Sequence, residues 1–290
     1  MMKVDVILLT KNSNKPYFKL VLDQLYKTIP VNRLIVVDGG STDGTLKVVS
    51  KYPRVVIIND SHGNRATARE KGIKEVETDW FLFLDDDVIL CNNWFKYAMR
   101  YMRKNVGAIQ GIDIPVERNV ARDYYFTIAR LRKRFKKRQL PSFERGFTGD
   151  TLIRTEVVKD IKIPKCLHFY EDYFIKRYVE KKGYRWVVTS VPFCLHLRFK
   201  QNFKTFYEGN YYAYMMGFMN LRDTLISSII SPLKITAIAI HVRRVNMIPS
   251  ELCRQLFTFV GVLKASLSRK EIKTYFSMIN KMLNCYEGSL

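Results

Sequence analysis

Apolar and polar positions fall into alternating blocks along the first hundred residues. Val4 to Thr10 is an apolar run broken only by Asp5, which suits a strand covered on both faces. Tyr17 to Thr28 repeats its apolar residues at helical spacing, and Arg33 to Asp38 reads as a second strand. The turn GGSTDGT follows, with Ser, Thr and Asp side chains able to cap a helix from Asp43 to Lys51. A third strand over 54–60, a helix from about Arg65 to Val76 and a fourth strand ending at Asp85 complete the series. This βαβα order predicts a parallel sheet with helices on both faces.

Residues 107–111 suit another strand, and the pattern breaks over 115–146. There Tyr124, Ile128, Leu131 and Phe135 share one helical face. Seven of the nine residues from Arg130 to Arg138 are basic, so the segment predicts a basic amphipathic helix inserted into an α/β domain. The α/β pattern resumes with a strand over 147–153, helices near 154–160 and 171–182, and a strand over 184–190. Residues 1–200 thus form a predicted α/β domain, and 201–290 a helical, apolar and basic appendage. Within the latter, 224–242 has the length of a bilayer span but contains Pro232, Lys234 and three serines. An in-plane or re-entrant helix fits that composition better than a transmembrane anchor.

Charge sharpens the picture. A formal net charge of +22 predicts an anionic partner: nucleic acid, an acidic membrane surface or phosphorylated small molecules. The aromatics of the basic helix belong to its apolar stripe and form no stacking platform, so no specific nucleic acid is expected. An anionic membrane suits it better. The five scattered cysteines lack CxxC spacing, which argues against a disulfide framework or zinc site and for a reducing compartment. The first residues read as a strand rather than a signal peptide.

In open parallel sheets ligands bind beyond the carboxyl ends of the strands. Thr10, Lys11 and Asn12 fall at the end of strand one, Asp38 at the end of strand two, and Asp85, Asp86 and Asp87 at the end of strand four. Three adjacent carboxylates repel, and a hard divalent cation relieves that repulsion. If extended geometry persists, Asp85 and Asp87 point one way and Asp86 the other. The plainer reading of the three acids is a cap and solvated turn before a helix from Cys91 to Tyr101. No GxGxxG or GxxxxGK[ST] pattern is present, so hydride-transfer cofactors and P-loop ATP binding are poorly supported.

Six segments in order over about residues 3–198 resemble the family 2 glycosyltransferases of GT-A fold. They are VILLTKN, LIVVDGGSTDGT, ATAREKGI, FLFLDDDV (the DXD motif), GDTLIRTEVV and YEDYFIKRYVEKKGYRW. Glu70 departs from the family's usual Asn. Lys176, Arg177 and Tyr178 stand where processive synthases carry QxxRW, so a processive polymerase is not expected.

The resemblance implies a GT-A nucleotide-diphospho-sugar transferase fold and an inverting, metal-dependent hexosyl- or acetylhexosaminyl-transfer from a UDP- or GDP-linked sugar. Asp38, Gly39, Thr10, Lys11 and Asn12 would line the nucleotide, with Arg65, Arg69, Asp85 and Asp86 nearby. Asp87, Asp85 and His196 would hold Mn2+ or Mg2+. Asp172 would be the general base, Glu171 would orient the site, and Gly149 and Asp150 would lie on the acceptor side. The acceptor would be a glycan that is lipid-linked or close to the membrane, on the cytoplasmic face. Three rivals remain: a polyprenyl-phosphate sugar synthase, a nucleotidyltransferase, and an inactive GT-A-like module binding membrane or nucleic acid.

Overall fold

The structure, a computed structural model, describes residues 2–116, 146–197, 203–241 and 243–284. These fall into two compact units, the first of 2–116 with 146–197, the second of 203–241 with 243–284.

In chain order the first unit runs β1 (Val4–Thr10), α1 (Phe18–Thr28), β2 (Val31–Asp38), α2 (Thr45–Val49), β3 (Val55–Asn59) and α3 (Arg65–Glu75). It continues with β4 (Trp80–Asp85), β5 (Val88–Leu90), α4 (Trp94–Met99), β6 (Val106–Pro115), β7 (Asp150–Arg154), α5 (Thr155–Val158), α6 (Glu171–Lys181) and β8 (Arg185–His196). Among the described residues the strands form one sheet in the order β3-β2-β1-β4-β7-β6-β8-β5. β3, β2, β1 and β4 are mutually parallel, as are β6 and β8. β7 runs antiparallel to both β4 and β6, and β5 antiparallel to β8. The sheet is therefore mixed rather than all parallel. Gly149, just before β7, lies beside Asp85, where its carbonyl accepts the Asp85 N–H at 3.1 Å. A strand that starts at the carboxyl end of β4 must run back against it.

Local chemistry explains the elements. β1 is buried along nearly its whole length, as its apolar run requires. Asn64 caps α3 by accepting from the N–H groups of Ala66 and Thr67, and the Thr67 hydroxyl accepts from the Asn64 N–H in return. A Cβ at Gly72 would stand 2.6 Å from Ile7 Cγ2, so glycine lets α3 settle onto β1. Leu22 and Leu25 of α1, Leu34 and Val36 of β2, Leu82 and Leu84 of β4, Trp94 and Leu152 belong to one buried core. Each such aliphatic or aromatic side chain contributes about 1.5–3 kcal/mol on burial.

β4 stops at Asp85 as expected, and Asp86 and Asp87 form a turn into the short β5, so strand alternation does not govern where they point. The boundaries differ from expectation at two places that matter. The next helix begins at Trp94, not Cys91. β6 and β8 extend to Pro115 and His196, past 111 and 190, because they pair with each other out to those residues. The basic helix around Tyr124 to Arg138 lies outside the described residues.

The second unit is helical: α7 (Phe203–Met215), α8 (Leu221–His241), a 3-10 turn (Val245–Met247), α9 (Ile248–Ser266) and α10 (Lys270–Asn284). A Cβ at Gly261 would sit 2.3 Å from the Tyr207 carbonyl oxygen, so α7 and α9 touch backbone to backbone there. Phe203 and Phe257 stack beside that contact at 5.3 Å. α8 turns Thr224, Ile235 and Ala239 inward. On the opposite side Ile226, Ile229, Ile230, Leu233 and Ile240 are exposed, Leu233 to 75%.

Candidate active site

Two loops at the carboxyl ends of β1 and β2 are laced together. The Gly39 N–H reaches the Thr10 carbonyl at 2.8 Å, and the Asn12 N–H reaches Ser41 Oγ at 2.8 Å. Asn12 adopts φ 54°, and its Oδ1 accepts the Thr42 N–H at 2.9 Å. Asp38 is buried at the centre. Its Oδ1 accepts from Thr10 Oγ1 (3.0 Å) and Ser41 Oγ (2.5 Å), and its Oδ2 from the N–H groups of Gly40 (3.0 Å) and Ser41 (2.8 Å). Burial alone would raise the Asp38 pKa, but these donors outweigh it and hold the pKa below the usual value. Asp38 thus builds the turn, and Lys11 leans over it with its side chain against Gly39.

The end of β4 carries the second half. Arg69, buried on α3, places Nη2 3.7 Å from Asp85 Oδ1 and Nε 3.2 Å from Glu171 Oε1, with its guanidinium 5.0 Å from the Phe83 ring centre. One cation therefore ties the three-acid segment to the first turn of α6. Gly149 is packed against the same carboxylate: a Cβ there would stand 2.9 Å from Asp85 Oδ2. Asp172 follows Glu171 and is buried to 8% exposure, its Oδ1 accepting the Tyr173 N–H at 2.8 Å. Arg65 lies over the Phe169 ring at 5.2 Å. Glu70 faces away from this cluster, accepting from the Ile163 N–H at 3.0 Å and pairing with Lys74 at 2.7 Å. The departure from the family's Asn thus falls on the outer side of α3.

Asp86, which strand alternation alone would turn away from Asp85 and Asp87, sits in the turn after β4. It hydrogen-bonds Ser13, and burial, with Asp87 and Asp85 adding to it, pushes its pKa up to about 6. Asp87 Oδ1 lies 3.0 Å from His196 Nε2, and His196 Nδ1 lies 3.2 Å from Asp113 Oδ2. Burial would lower the His196 pKa, but the two carboxylates prevail and push it up to about 9. Asp150 takes no surface position. It is fully buried with Oδ2 accepting from Trp94 Nε1 at 3.2 Å, and burial pushes its pKa up to about 8. Asp150, expected on the acceptor side, exposes no surface there. Its pairing opposite Leu84 sets it inside the sheet, beside Gly111.

The donor set fits a hard divalent cation in part. Asp87 and His196 converge, and a carboxylate oxygen with an imidazole nitrogen suits Mn2+. Among the described residues no three His, Cys, Asp or Glu side chains gather as a ready cage. Asp85 faces Arg69 and Gly149 instead. Two protein ligands, with water and diphosphate oxygens completing the shell, is the usual economy of Mg2+-type sites.

The sequence pattern missed Asp113, Ser13 and Trp94. Asp113, a lone acid between Ile112 and Ile114, carried the one visible signal, since an isolated carboxylate in an apolar strand needs a partner.

The model for glycosyl transferase family 2 matches residues 5–161, more than half of the chain. The chain belongs to this family. As a family 2 glycosyltransferase it is 27% identical over 89 residues to the cholesterol galactosyltransferase of Borreliella burgdorferi, covering 29% of this chain and 25% of the relative. It is 28% identical over 161 residues to the teichoic acid poly(glycerol phosphate) polymerase of Staphylococcus epidermidis, covering 51% of this chain and 22% of that one. The matches span about a quarter of either relative's length. Among solved structures, S. aureus TarS 1–349 in complex with UDP-GlcNAc superposes with a TM-score of 0.55 at 18% identity, over 97% of this chain and 80% of TarS 1–349. The mannosyltransferase PcManGT of Pyrobaculum calidifontis, in complex with GDP-Man and Mn2+, gives a TM-score of 0.57 at 14% identity, over 98% and 81%. At such identities the likeness establishes the fold of this family 2 glycosyltransferase, a GT-A α/β sheet with C-terminal helices.

Proposed function

We propose that the chain transfers a sugar from a nucleoside-diphosphate donor to an acceptor hydroxyl, with inversion. The observation that carries this reading is the bridge from Asp85 through Arg69 to Glu171, which joins the donor motif to the α6 turn holding Asp172. The β1 and β2 loops, ordered by Asp38 and Asn12, receive the nucleotide, and Arg65 stands at the same end of the sheet. Asp87 and His196 hold a Mn2+ or Mg2+ ion, which supplies charge neutralisation for the departing nucleoside diphosphate. Asp172 removes the proton from the attacking hydroxyl, and Glu171, fixed by Arg69, holds the turn that presents it. Attack from the face opposite the leaving group inverts the anomeric centre.

Two observations support an acceptor at a membrane. One relative is named for cholesterol and another for a poly(glycerol phosphate). α8 is long and apolar enough to cross a membrane, yet one side packs on α9 and the other bears five exposed large aliphatic side chains. Lys234 borders that exposed stripe, Arg222 lies in the first turn of the helix, and Arg243 and Arg244 follow its end. We take α8 to lie in the plane of an anionic bilayer, as its basic flanks suit.

Transfer is tested by titrating UDP- and GDP-sugars with and without Mn2+, reading thermal stabilisation. A donor that stabilises the protein only with the ion supports the reading. Absence of any sugar-nucleotide binding, or pyrophosphate release from a nucleoside triphosphate, overturns it. Asp172→Asn then separates acceptors, because a phosphate acceptor is already ionised and would tolerate the change. Co-flotation with phosphatidylglycerol vesicles but not phosphatidylcholine ones, lost in Leu233→Glu, tests the membrane face.

A further inference from the structure

His196 has two ring nitrogens, and each meets a different acid. Nε2 faces Asp87 at 3.0 Å, and Nδ1 faces Asp113 at 3.2 Å. The arrangement is fixed by three strands. His196 pairs with Pro115 of β6 on one side and Val88 of β5 on the other. Its carbonyl accepts the Val116 N–H at 2.9 Å, and the Leu197 N–H reaches the Asp87 carbonyl at 2.7 Å. The Phe147 ring, 5.9 Å away, packs beside the imidazole, which is 4% exposed. The backbone therefore sets the height of the ring, but nothing in it selects which nitrogen carries a proton or how the ring turns about its own axis.

A carboxylate on one nitrogen makes that selection. An imidazole can ligate through only one nitrogen in a given orientation, and the hydrogen bond made by the other decides which. Without a cation both nitrogens can donate, Nε2 to Asp87 and Nδ1 to Asp113; when a cation takes Nε2, Asp113, which can only accept, keeps the remaining proton on Nδ1 and holds Nε2 toward Asp87. Its other oxygen, Oδ1, is buried and has no hydrogen-bond partner. A buried acceptor left unmade costs stability, so the side chain is poorly suited to a purely structural role.

We propose that Asp113 is a positioning residue for the cation site. Through Nδ1 it fixes the tautomer and orientation in which His196 Nε2 and Asp87 converge on the divalent ion. The proposal rests on the reading of Asp87 and His196 as that ion's protein ligands. Carboxylate partners of this kind alter metal affinity about 10–100-fold in known sites.

The test is Mn2+ binding by the 290-residue chain, read from the loss of the free-ion electron paramagnetic resonance signal, alone and with UDP or GDP present. Three substitutions at one position separate geometry from charge. Asp113→Ala removes the acceptor and should weaken Mn2+ binding about 10–100-fold. Asp113→Asn keeps an oxygen in place to accept from Nδ1–H and should bind within a few-fold of wild type. Asp113→Glu keeps the charge but moves the oxygens and should bind more weakly than Asp113→Asn. The comparison of Asn with Glu holds even where the Ala variant does not fold. Binding by Asp113→Ala equal to wild type overturns the proposal. So does a Glu variant that binds tightly beside an Asn variant that does not, since charge alone would then suffice. His196→Ala is the separate control: if it binds Mn2+ like wild type, the ligand reading itself fails and takes the proposal with it.

Discussion

Two buried carboxylates lie toward opposite ends of the same sheet and behave in opposite ways. Asp5, in β1, accepts from Arg33 Nη2 at 2.9 Å, from Asn32 Nδ2 at 2.9 Å and from the Glu77 N–H at 2.8 Å. Burial would raise its pKa, but these donors, Arg33 foremost, win and lower it. Asp150 is as deeply buried, yet its side-chain donors are Trp94 Nε1 at 3.2 Å and the weak Cys194 thiol, its Oδ1 has no partner, and burial drives its pKa up to about 8. The first acid is saturated and holds the fold together. The second stands in a crowd of acids, with Asp113 and Asp85 both raising its pKa further. Arg69 and His196 offset that crowding only in part, and a cluster of carboxylates with raised pKa values marks this end of the domain as the candidate functional one.

The largest effects should separate those two ends. Asp172→Ala is expected to lower kcat by roughly 10²–10⁴-fold, while the melting temperature stays close to wild type. Turnover assays beside thermal melts check this, and unchanged turnover would remove Asp172 from the mechanism. Asp5→Ala should do the reverse. Leaving Arg33 without its buried partner should cost about 3–5 kcal/mol in urea unfolding, with kcat per folded molecule unchanged. A stable Asp5→Ala protein would break the contrast.

Next comes pH. The stability contributed by Asp5 is present above the ordinary value of 3.8 and is lost as pH falls through its lowered pKa. For Asp150 the sign inverts. Its folded pKa is raised from 3.8 to about 8, so its contribution is fully present below 3.8 and is lost as pH rises toward 8. Asp150→Asn should therefore flatten the decline in stability between those limits, measured on the metal-free protein by urea unfolding at several pH values. An unaltered slope would mean that Asp150 titrates normally. The smallest change in stability should come from Leu233→Ser on the exposed side of α8, within about 0.5 kcal/mol of wild type.

Much of the first unit was legible because its signals are local. A buried apolar run such as Val4–Thr10, an Asn64 cap and a GGSTDGT turn each act within a few residues, so the alternation of strands and helices could be read directly. The positions of Thr10, Asp38, Asp85 and Glu171 at the ends of elements followed from the same boundaries. The roles of the three acids did not. Their separate fates depend on Ser13, His196, Arg69 and Gly149, which are distant in sequence and meet only through the sheet order. The reversed strand β7 escaped notice because strand direction is set by where a chain re-enters the sheet, not by its composition.

By itself, then, the sequence determined the element series, the motif order and the clustering of acids at strand ends, because hydrophobic periodicity and turn chemistry are properties of neighbouring residues. Only the tertiary structure decided which acid meets His196, which lies against Arg69 and which is sealed in the core. Register and strand order place side chains from β4, β6, β7 and β8 within hydrogen-bonding distance, and at that distance burial and charge together set what each carboxylate can do.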